Sequence, residues 1–167
     1  MFNFKKRYAK TADHARSGST KKFGNIKKEY EGISFDSKIE IEIYKDLKVL
    51  QSEGIIKEVI AHPPYIEIYP STKITRADGS SYLYREVRYH PDFSIVDKEG
   101  VTHYIDVKSF PTITADFILK YKMLYHQLGI YLNIIVKSNW RGQETVENII
   151  NGTHFSPLSK KALEKRN

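Results

Sequence analysis

The segment RYHPDFSIVDKEGVTHYIDVKS, residues 88–109, places two carboxylates and an amine at the ends of two neighbouring apolar runs. Asp92 directly follows Pro91, and fourteen residues later Asp106 stands two positions before Lys108. Two close carboxylates repel each other unless a cation lies between them, and a divalent ion with oxygen ligands removes that repulsion. With an ammonium group alongside, the arrangement suits metal-assisted attack on a phosphodiester.

A plainer interpretation treats Asp92 and Asp106 as solvated strand residues, with Lys108 in a surface salt bridge of little energetic value. The pattern Asp-x-Lys is short and common, so it does not decide between the two interpretations. Its surroundings favour a site. Pro91 cannot donate a hydrogen bond to a strand ladder and therefore marks a bulge or a strand edge beside Asp92.

Two paired strands are needed to bring these groups together. The turn signal DKEG between the two runs predicts an antiparallel pair. Alternation along the second strand directs Ile105 and Val107 into the core, and Tyr104, Asp106 and Lys108 then share the opposite face.

The upstream segment FDSKIEIEIYKDLKVLQSEG, residues 35–54, is ambiguous. Isoleucines at every second position alternate with glutamates, as they would in a strand. The length of the segment, its candidate caps and its apolar stripe favour a helix. The candidate caps are Asp36 and Ser37, and the stripe consists of Ile39, Ile43, Leu47 and Leu50 before Gly54.

The remaining elements alternate between strands and helices. Strands are predicted over 55–62, 65–75, 81–96, 101–109 and 130–136, and helices over 114–129 and 144–150. Thr114 is the candidate N-cap of the second helix, Gly129 is its stop, and its predicted apolar face is Phe117, Tyr121, Leu124 and Leu128. The strand after this helix should lie parallel to a neighbour. We therefore expect the α/β (α+β) class, with a mixed sheet flanked by helices.

The net charge of +7 is concentrated at the two ends of the chain. Residues 1–30 hold an excess of seven basic over acidic residues and residues 156–167 an excess of three, so residues 31–155 carry −3. We expect a flexible basic arm over 1–29, one domain over 30–155 and a basic tail over 156–167. Such arms suit a polyanion such as nucleic acid, although charge also serves solubility.

The amino-acid composition limits the kinds of metal site and the cellular location that we expect. The chain has no cysteine, which excludes disulfides and thiolate metal sites and leaves oxygen or imidazole ligands for any metal. No apolar run reaches the roughly 18 residues of a membrane span, and MFNFKKRYAK at the start does not resemble a secretion signal. We therefore expect a soluble, cytoplasmic protein with no membrane partner.

Four blocks of sequence occur in a set order along residues 30–137. They are YEGISFDSKIEIEIYKDL (30–47), RYHPDFSI (88–95), YIDVKS (104–109) and DFILKYKML (116–124). Together they resemble the PD-(D/E)xK nuclease superfamily, and within it short phage and prophage endonucleases of the Holliday junction resolvase type. The resemblance implies a restriction-endonuclease-like fold in the order αβββαβ.

The resemblance also implies residue roles. It implies a Mg²⁺ site in which Mn²⁺ can substitute, with Lys108 as the catalytic lysine. The implied metal ligands are the Asp92 and Asp106 carboxylates, the Val107 carbonyl and the Glu40 carboxylate. Glu42 is the alternative acid if the first helix is rotated or is a strand.

The implied activity is metal-dependent hydrolysis of DNA, particularly of branched DNA such as the four-way junction, in the cytoplasm of a bacterium or a phage-infected cell. Two symmetric cuts are natural for a two-fold dimer, so a homodimer is expected. Lys120, Lys122 and Arg88 are candidate DNA contacts. The alternatives are a nucleic-acid-binding module without catalysis and a restriction-like or nicking endonuclease that acts on duplex DNA.

Overall fold

The computed structural model describes residues 28–156. Most of the predicted arm over 1–29 and of the predicted tail over 156–167 therefore lies outside the described residues. The helices are α1 Lys38–Ser52, α2 Ala115–Leu128 and α3 Gln143–Ile150. The strands are β1 Lys28–Tyr30, β2 Ile33–Phe35, β3 Glu58–Ala61, β4 Ile66–Tyr69, β5 Thr72–Thr75, β6 Ser81–Tyr84, β7 Val87–Tyr89, β8 Phe93–Val96, β9 Thr102–Val107 and β10 Leu132–Ile135.

A four-stranded mixed sheet in the order β10-β9-β8-β3 forms the centre of the fold. β8 pairs antiparallel with β3 and β9, whereas β10 lies parallel to β9. α2 connects β9 to β10, as predicted for a helical crossover. Through this sheet and its helices the chain runs α1, β3, β8, β9, α2, β10. The predicted order αβββαβ and the mixed α+β class are therefore confirmed.

The two longest predicted strands are interrupted. The strand predicted over 65–75 forms β4 and β5, separated at Pro70, which has no N–H for a ladder. The strand predicted over 81–96 forms β6, β7 and β8. β4 pairs with β7 and β5 pairs with β6 in two separate two-stranded sheets. The prediction of continuous strands was wrong, because alternation indicates extended backbone but not which partner each part meets.

The segment that could have been a strand or a helix forms a helix, α1. The Ser37 hydroxyl accepts a hydrogen bond from the Glu40 N–H at 3.2 Å, so Ser37 rather than Asp36 is the N-cap. One face of α1 packs on the central sheet in a first hydrophobic cluster. The buried apolar side chains of that face are Ile43, Tyr44, Leu47 and Leu50.

The second helix begins and ends as predicted. The Thr114 hydroxyl accepts a hydrogen bond from the Phe117 N–H at 3.2 Å, and Gly129 closes the helix with a φ of 67°. The predicted apolar face is wrong at Leu128, which is 42% exposed. Because the chain turns at Gly129, the last helical side chain lies beyond the second hydrophobic cluster. Ile130 packs there instead.

Both faces of the central sheet are covered. Along β9, Ile105 belongs to the first cluster with α1 and α3, and Tyr104 packs with the second cluster under α2 and the β4–β7 pair. This is the predicted alternation. Asp106 therefore lies on a face that other elements cover, which determines its environment. None of the helices between residues 28 and 156 has the length and hydropathy that a membrane crossing requires.

Candidate active site

Asp106 is an aspartate on the covered face of β9, and its side chain is 1% exposed. Its Oδ1 accepts a hydrogen bond from the Tyr89 hydroxyl at 2.6 Å. Its Oδ2 contacts the Lys108 ammonium group, which lies two residues further on the same face. This oxygen accepts no hydrogen bond of regular geometry, unlike the other buried side-chain oxygens of residues 28–156. The interpretation of Asp106 and Lys108 as a solvated surface pair is therefore wrong.

Asp92 reaches the same end of the β8–β9 pair from the neighbouring strand. Phe93 lies opposite Ile105, so the antiparallel register continued by one residue leads from Asp92 to Asp106. The Asp92 Oδ2 atom accepts a hydrogen bond from the Val107 N–H at 2.7 Å. The two carboxylates and the lysine are thus gathered at one place, as the sequence predicts.

A break in the chain between β7 and β8 makes this arrangement possible. In a regular strand, residues four apart share a face. Tyr89 nevertheless packs in the second cluster and Phe93 in the first, so the backbone changes face between them. Pro91 lies in this interruption, which confirms the predicted strand break. As a result, both Tyr89 and Asp92 come within electrostatic range of Asp106.

Glu40 is buried in the first turn of α1. Its two carboxylate oxygens accept hydrogen bonds from the Ser37 hydroxyl at 2.7 Å and the Asp36 N–H at 3.0 Å. Its charge helps to raise the pKa of Asp92, which places it within electrostatic range of the site. Glu42 is exposed. The geometry therefore favours Glu40 over Glu42 as the acid on the helix, although the hydrogen bonds of Glu40 also cap α1.

The electrostatics of the site are dominated by burial. Burial and the neighbouring Asp106 charge raise the pKa of Asp92 to about 8, against the opposing effects of Lys108 and the Val107 N–H. Burial also raises the pKa of Asp106, although Lys108 and Tyr89 favour its charged form. Burial next to Asp106 raises the pKa of the Tyr89 hydroxyl, which keeps it a donor. The site thus concentrates negative charge that only a proton or a cation can neutralise.

This donor set fits a hard divalent cation. Mg²⁺ commonly takes one or two protein carboxylates and keeps several waters, and Asp92 and Asp106 supply such a pair. No group of three or more His, Cys, Asp or Glu side chains between residues 28 and 156 is gathered closely enough to hold a metal ion. The ligand roles of Glu40 and of the Val107 carbonyl, inferred from the family resemblance, therefore stay predictions.

The two candidate lysines on α2 differ in their surroundings. Lys120 forms an ion pair with Asp116 one turn earlier, at 3.3 Å. Lys122 is exposed and lines a small surface cavity beside Tyr121. Neither lysine contacts Asp92 or Asp106, so their DNA contacts stay predictions.

Of the neighbouring residues Arg88 and Tyr89, the structure places Tyr89 rather than Arg88 in the candidate site. Arg88 is exposed and forms an ion pair with Glu86 at 3.6 Å. It does not share a face with Asp92, because the break at Pro91 intervenes. Tyr89 is the functional candidate that the sequence analysis did not single out. Its position three residues before Asp92 gives no signal by itself.

These observations define the class of the protein. It is a mixed α+β protein whose central sheet carries two aspartates and a lysine at the end of an antiparallel strand pair, and one of these aspartates, Asp106, is fully buried. The chain belongs to the family described as "Protein of unknown function (DUF1064)", whose sequence profile matches residues 20–143. The match spans α1, α2, the central sheet and the whole centre. The searches of curated proteins and of solved structures found no match.

Proposed function

We propose that this protein is a divalent-metal-dependent endonuclease that hydrolyses phosphodiester bonds in DNA. The observation that carries the proposal is the convergence of Asp92, Asp106 and Lys108 at one end of β8 and β9. The pKa of Asp92 is strongly raised beside a second carboxylate, and groups with perturbed pKa values cluster at functional sites.

Asp92 and Asp106 would hold the ion, with Glu40 close enough to add to the negative field. A divalent cation bound there supplies a Lewis acid for a phosphodiester oxygen and lowers the pKa of a water nucleophile. Tyr89 keeps one oxygen of Asp106 hydrogen-bonded and so limits rotation of that carboxylate. The protein therefore fixes the position of its anionic groups before any substrate arrives.

Lys108 provides the positive charge of the site. Its ammonium group lies 5.2 Å from the centroid of the Phe117 ring and contacts Asp106, so the strand and α2 both limit its movement. A phosphate placed beside it would gain a charge-assisted hydrogen bond as negative charge develops on the phosphoryl oxygens. We therefore assign Lys108 to stabilising the reacting phosphoryl group.

DNA as the substrate rests on the sequence. The basic residues concentrated in 1–30 and 156–167 give the chain the charge of a protein that binds a polyanion. Branched DNA, particularly the four-way junction, and a homodimer that makes two symmetric cuts are the finer parts of the proposal, and they come from the resemblance to junction resolvases.

A nucleic-acid-binding module without catalysis is the second candidate. Lys108 pairs with Asp106, and the Glu40 oxygens are engaged in capping, so all three groups also have purely structural partners. A duplex-cutting, restriction-like or nicking enzyme would share the same centre and differ in its substrate.

One assay separates these functions. The full chain is incubated with four-way, blunt-duplex and single-stranded DNA, with Mg²⁺, with Mn²⁺ or with a chelator. The proposal predicts metal-stimulated cutting, most strongly of the four-way junction. Preferential cutting of blunt duplex would indicate the restriction-like enzyme. Tight binding without cutting in either metal would overturn the nuclease and favour the binding module.

A further inference from the structure

The β5–β6 hairpin, closed by the turn RADGS at residues 76–80, stands apart from the core. None of its described residues belongs to either hydrophobic cluster. Leu83 and Tyr84 are 61% and 55% exposed. A two-stranded hairpin is at best marginally stable alone in water, and exposed apolar side chains grouped on one element indicate a binding surface.

One face of the hairpin carries a preformed aromatic surface. The register sets Tyr82 opposite Ile74 and Tyr84 opposite Thr72, which places the two tyrosines on the same face. Their ring centroids are 4.9 Å apart, and the Tyr82 hydroxyl donates a hydrogen bond to that of Tyr84 at 2.7 Å. The Arg76 guanidinium lies over the Tyr82 ring at 4.6 Å. The rings therefore hold each other in place at the surface.

The charge of the hairpin is opposite to that of the domain that bears it. Residues 71–85 contain Lys73, Arg76 and Arg85 against one acid, Asp78, whereas residues 31–155 together carry −3. The Asp78 carboxylate accepts hydrogen bonds from the Ser80 N–H at 2.9 Å and the Ser80 hydroxyl at 2.6 Å within the turn. The basic side chains of the hairpin are therefore available to a negatively charged partner.

A second exposed ring with a cation beside it lies outside the hairpin, at the β4–β7 pair. The Arg88 guanidinium lies 5.2 Å from the centroid of the Tyr65 ring, and that ring meets His90 at 5.6 Å. Tyr65 is 47% exposed, and His90 stands two residues before Asp92. An exposed ring with a cation beside it therefore recurs at the β4–β7 pair.

We propose that the β5–β6 hairpin binds unpaired nucleotides of a DNA substrate, with Tyr82 and Tyr84 stacking on bases and the basic side chains contacting phosphates. Stacking on aromatic rings is tolerant of sequence and requires bases that are free of a duplex stack. The inference rests on the proposed function and names the feature of the substrate that the protein recognises: a single-stranded segment or a branch point.

The test measures equilibrium binding of the full chain by fluorescence anisotropy in a chelator, so that no cutting occurs. The probes are a short single strand and a blunt duplex of the same length. The double variant Tyr82→Leu/Tyr84→Leu should weaken single-strand binding by about tenfold or more, since each stacked base contributes roughly that factor. Duplex binding should change far less. The matched variant Tyr82→Phe/Tyr84→Phe keeps the rings and should restore most of the lost affinity.

A control pair uses two other exposed tyrosines. Tyr125 and Tyr131 lie away from the hairpin, with ring centroids 4.4 Å apart, and Tyr125→Leu/Tyr131→Leu should leave single-strand binding at the parental level. Loss of binding in this control alone would place the stacking surface there and overturn the inference. Thermal unfolding checks that each variant is folded.

Two further outcomes would also overturn it. One is single-strand binding by the leucine variant at the parental level. The other is a shift from dimer to monomer in sedimentation with DNA binding intact, which would make the hairpin an interface between copies of the chain. Metal-dependent cutting by the parental protein is scored separately. Hairpin-dependent binding without cutting would therefore reject the nuclease proposal and support the hairpin as a nucleic-acid surface.

Discussion

The carboxylate centre and the β5–β6 hairpin differ in how much of the molecule surrounds them. Asp106 is 1% exposed and Leu83 is 61% exposed. Side chains and backbone from β7, β9 and the β7–β8 break hold the centre, whereas the strands of the hairpin pair only with each other.

The physics of the two regions differs accordingly. In the low-dielectric interior each charge of the centre acts strongly on the others, as the raised pKa of Asp92 shows. On the hairpin, solvent and salt screen the charges, and the contribution that we propose for it is to binding. Substitutions in the centre should therefore alter chemistry and stability together, and substitutions in the hairpin should alter neither the fold nor its melting temperature.

The largest expected effect comes from removing the acid or the amine of the centre. Asp106→Asn and Lys108→Ala should each lower the single-turnover rate of metal-dependent cutting by a factor of at least about 100. The first removes the charge of a proposed metal ligand, and the second removes the cation proposed to stabilise the reacting phosphoryl group. Asp116→Asn is the matched control, since it removes an exposed carboxylate. Parental rates in Asp106→Asn or Lys108→Ala would mean that this centre is not catalytic.

Tyr89→Phe should have a smaller effect on the same reaction. It removes the hydroxyl that donates to Asp106, so the carboxylate is held less firmly, and cutting should fall about tenfold with a loss of about 1 kcal/mol in stability. Tyr104→Phe is the control, since Tyr104 packs in the same cluster as Tyr89, whereas the donor to Asp106 Oδ1 is Tyr89. Equal rates for the two variants would count against a positioning role for Tyr89.

Stability of the metal-free protein should depend on pH through Asp92. Its folded pKa of about 8 lies above its ordinary value, so the folded state binds this proton more tightly than the unfolded chain. The resulting stability is fully present below about pH 4 and is lost as the pH rises through 8. The melting temperature in a chelator should therefore fall by something on the order of 5 °C between pH 5 and 9.

The Asp92→Asn variant isolates that contribution. It cannot titrate, so its melting temperature should fall less over the same range. Identical pH profiles for the parental protein and Asp92→Asn would show that Asp92 is not the group responsible.

Glu40→Gln compared with Glu42→Gln tests the acid on α1. Glu40 is buried in capping hydrogen bonds and Glu42 is exposed, so only Glu40→Gln should lower the free energy of unfolding, by about 1 kcal/mol. Calorimetric titration with Mn²⁺ should show weaker binding by Glu40→Gln than by Glu42→Gln. Equal metal affinities would leave Glu40 with a capping role alone.

The smallest effect is expected at the hairpin. Leu83→Ser removes an exposed apolar side chain that belongs to neither cluster, so the free energy of unfolding should change by less than about 0.5 kcal/mol. Chemical denaturation provides the measurement. A loss of 2 kcal/mol or more would show that the hairpin supports the fold, and the contrast with the centre would fail.

The local parts of the fold were predictable because their causes are local. Ser37, Thr114 and Gly129 mark helix ends through hydrogen bonds and backbone angles within a few residues. The strand breaks were harder to predict. Pro91 indicated one interruption, but the division into β5, β6 and β7 depends on which distant strand each part pairs with. Leu128 was misplaced for the same reason, because burial at a helix end depends on where the chain turns.

By itself, the sequence determined that Asp106 and Lys108 share one face of a strand and that Asp92 ends the neighbouring one, since alternation and the DKEG turn act over short distances. Only the tertiary structure decided that this face is buried, that Tyr89 crosses the break to Asp106, and that Glu40 rather than Glu42 lies near the site. Burial depends on the second layer that covers a strand. That layer comes from segments remote in the chain, whose packing no local pattern specifies.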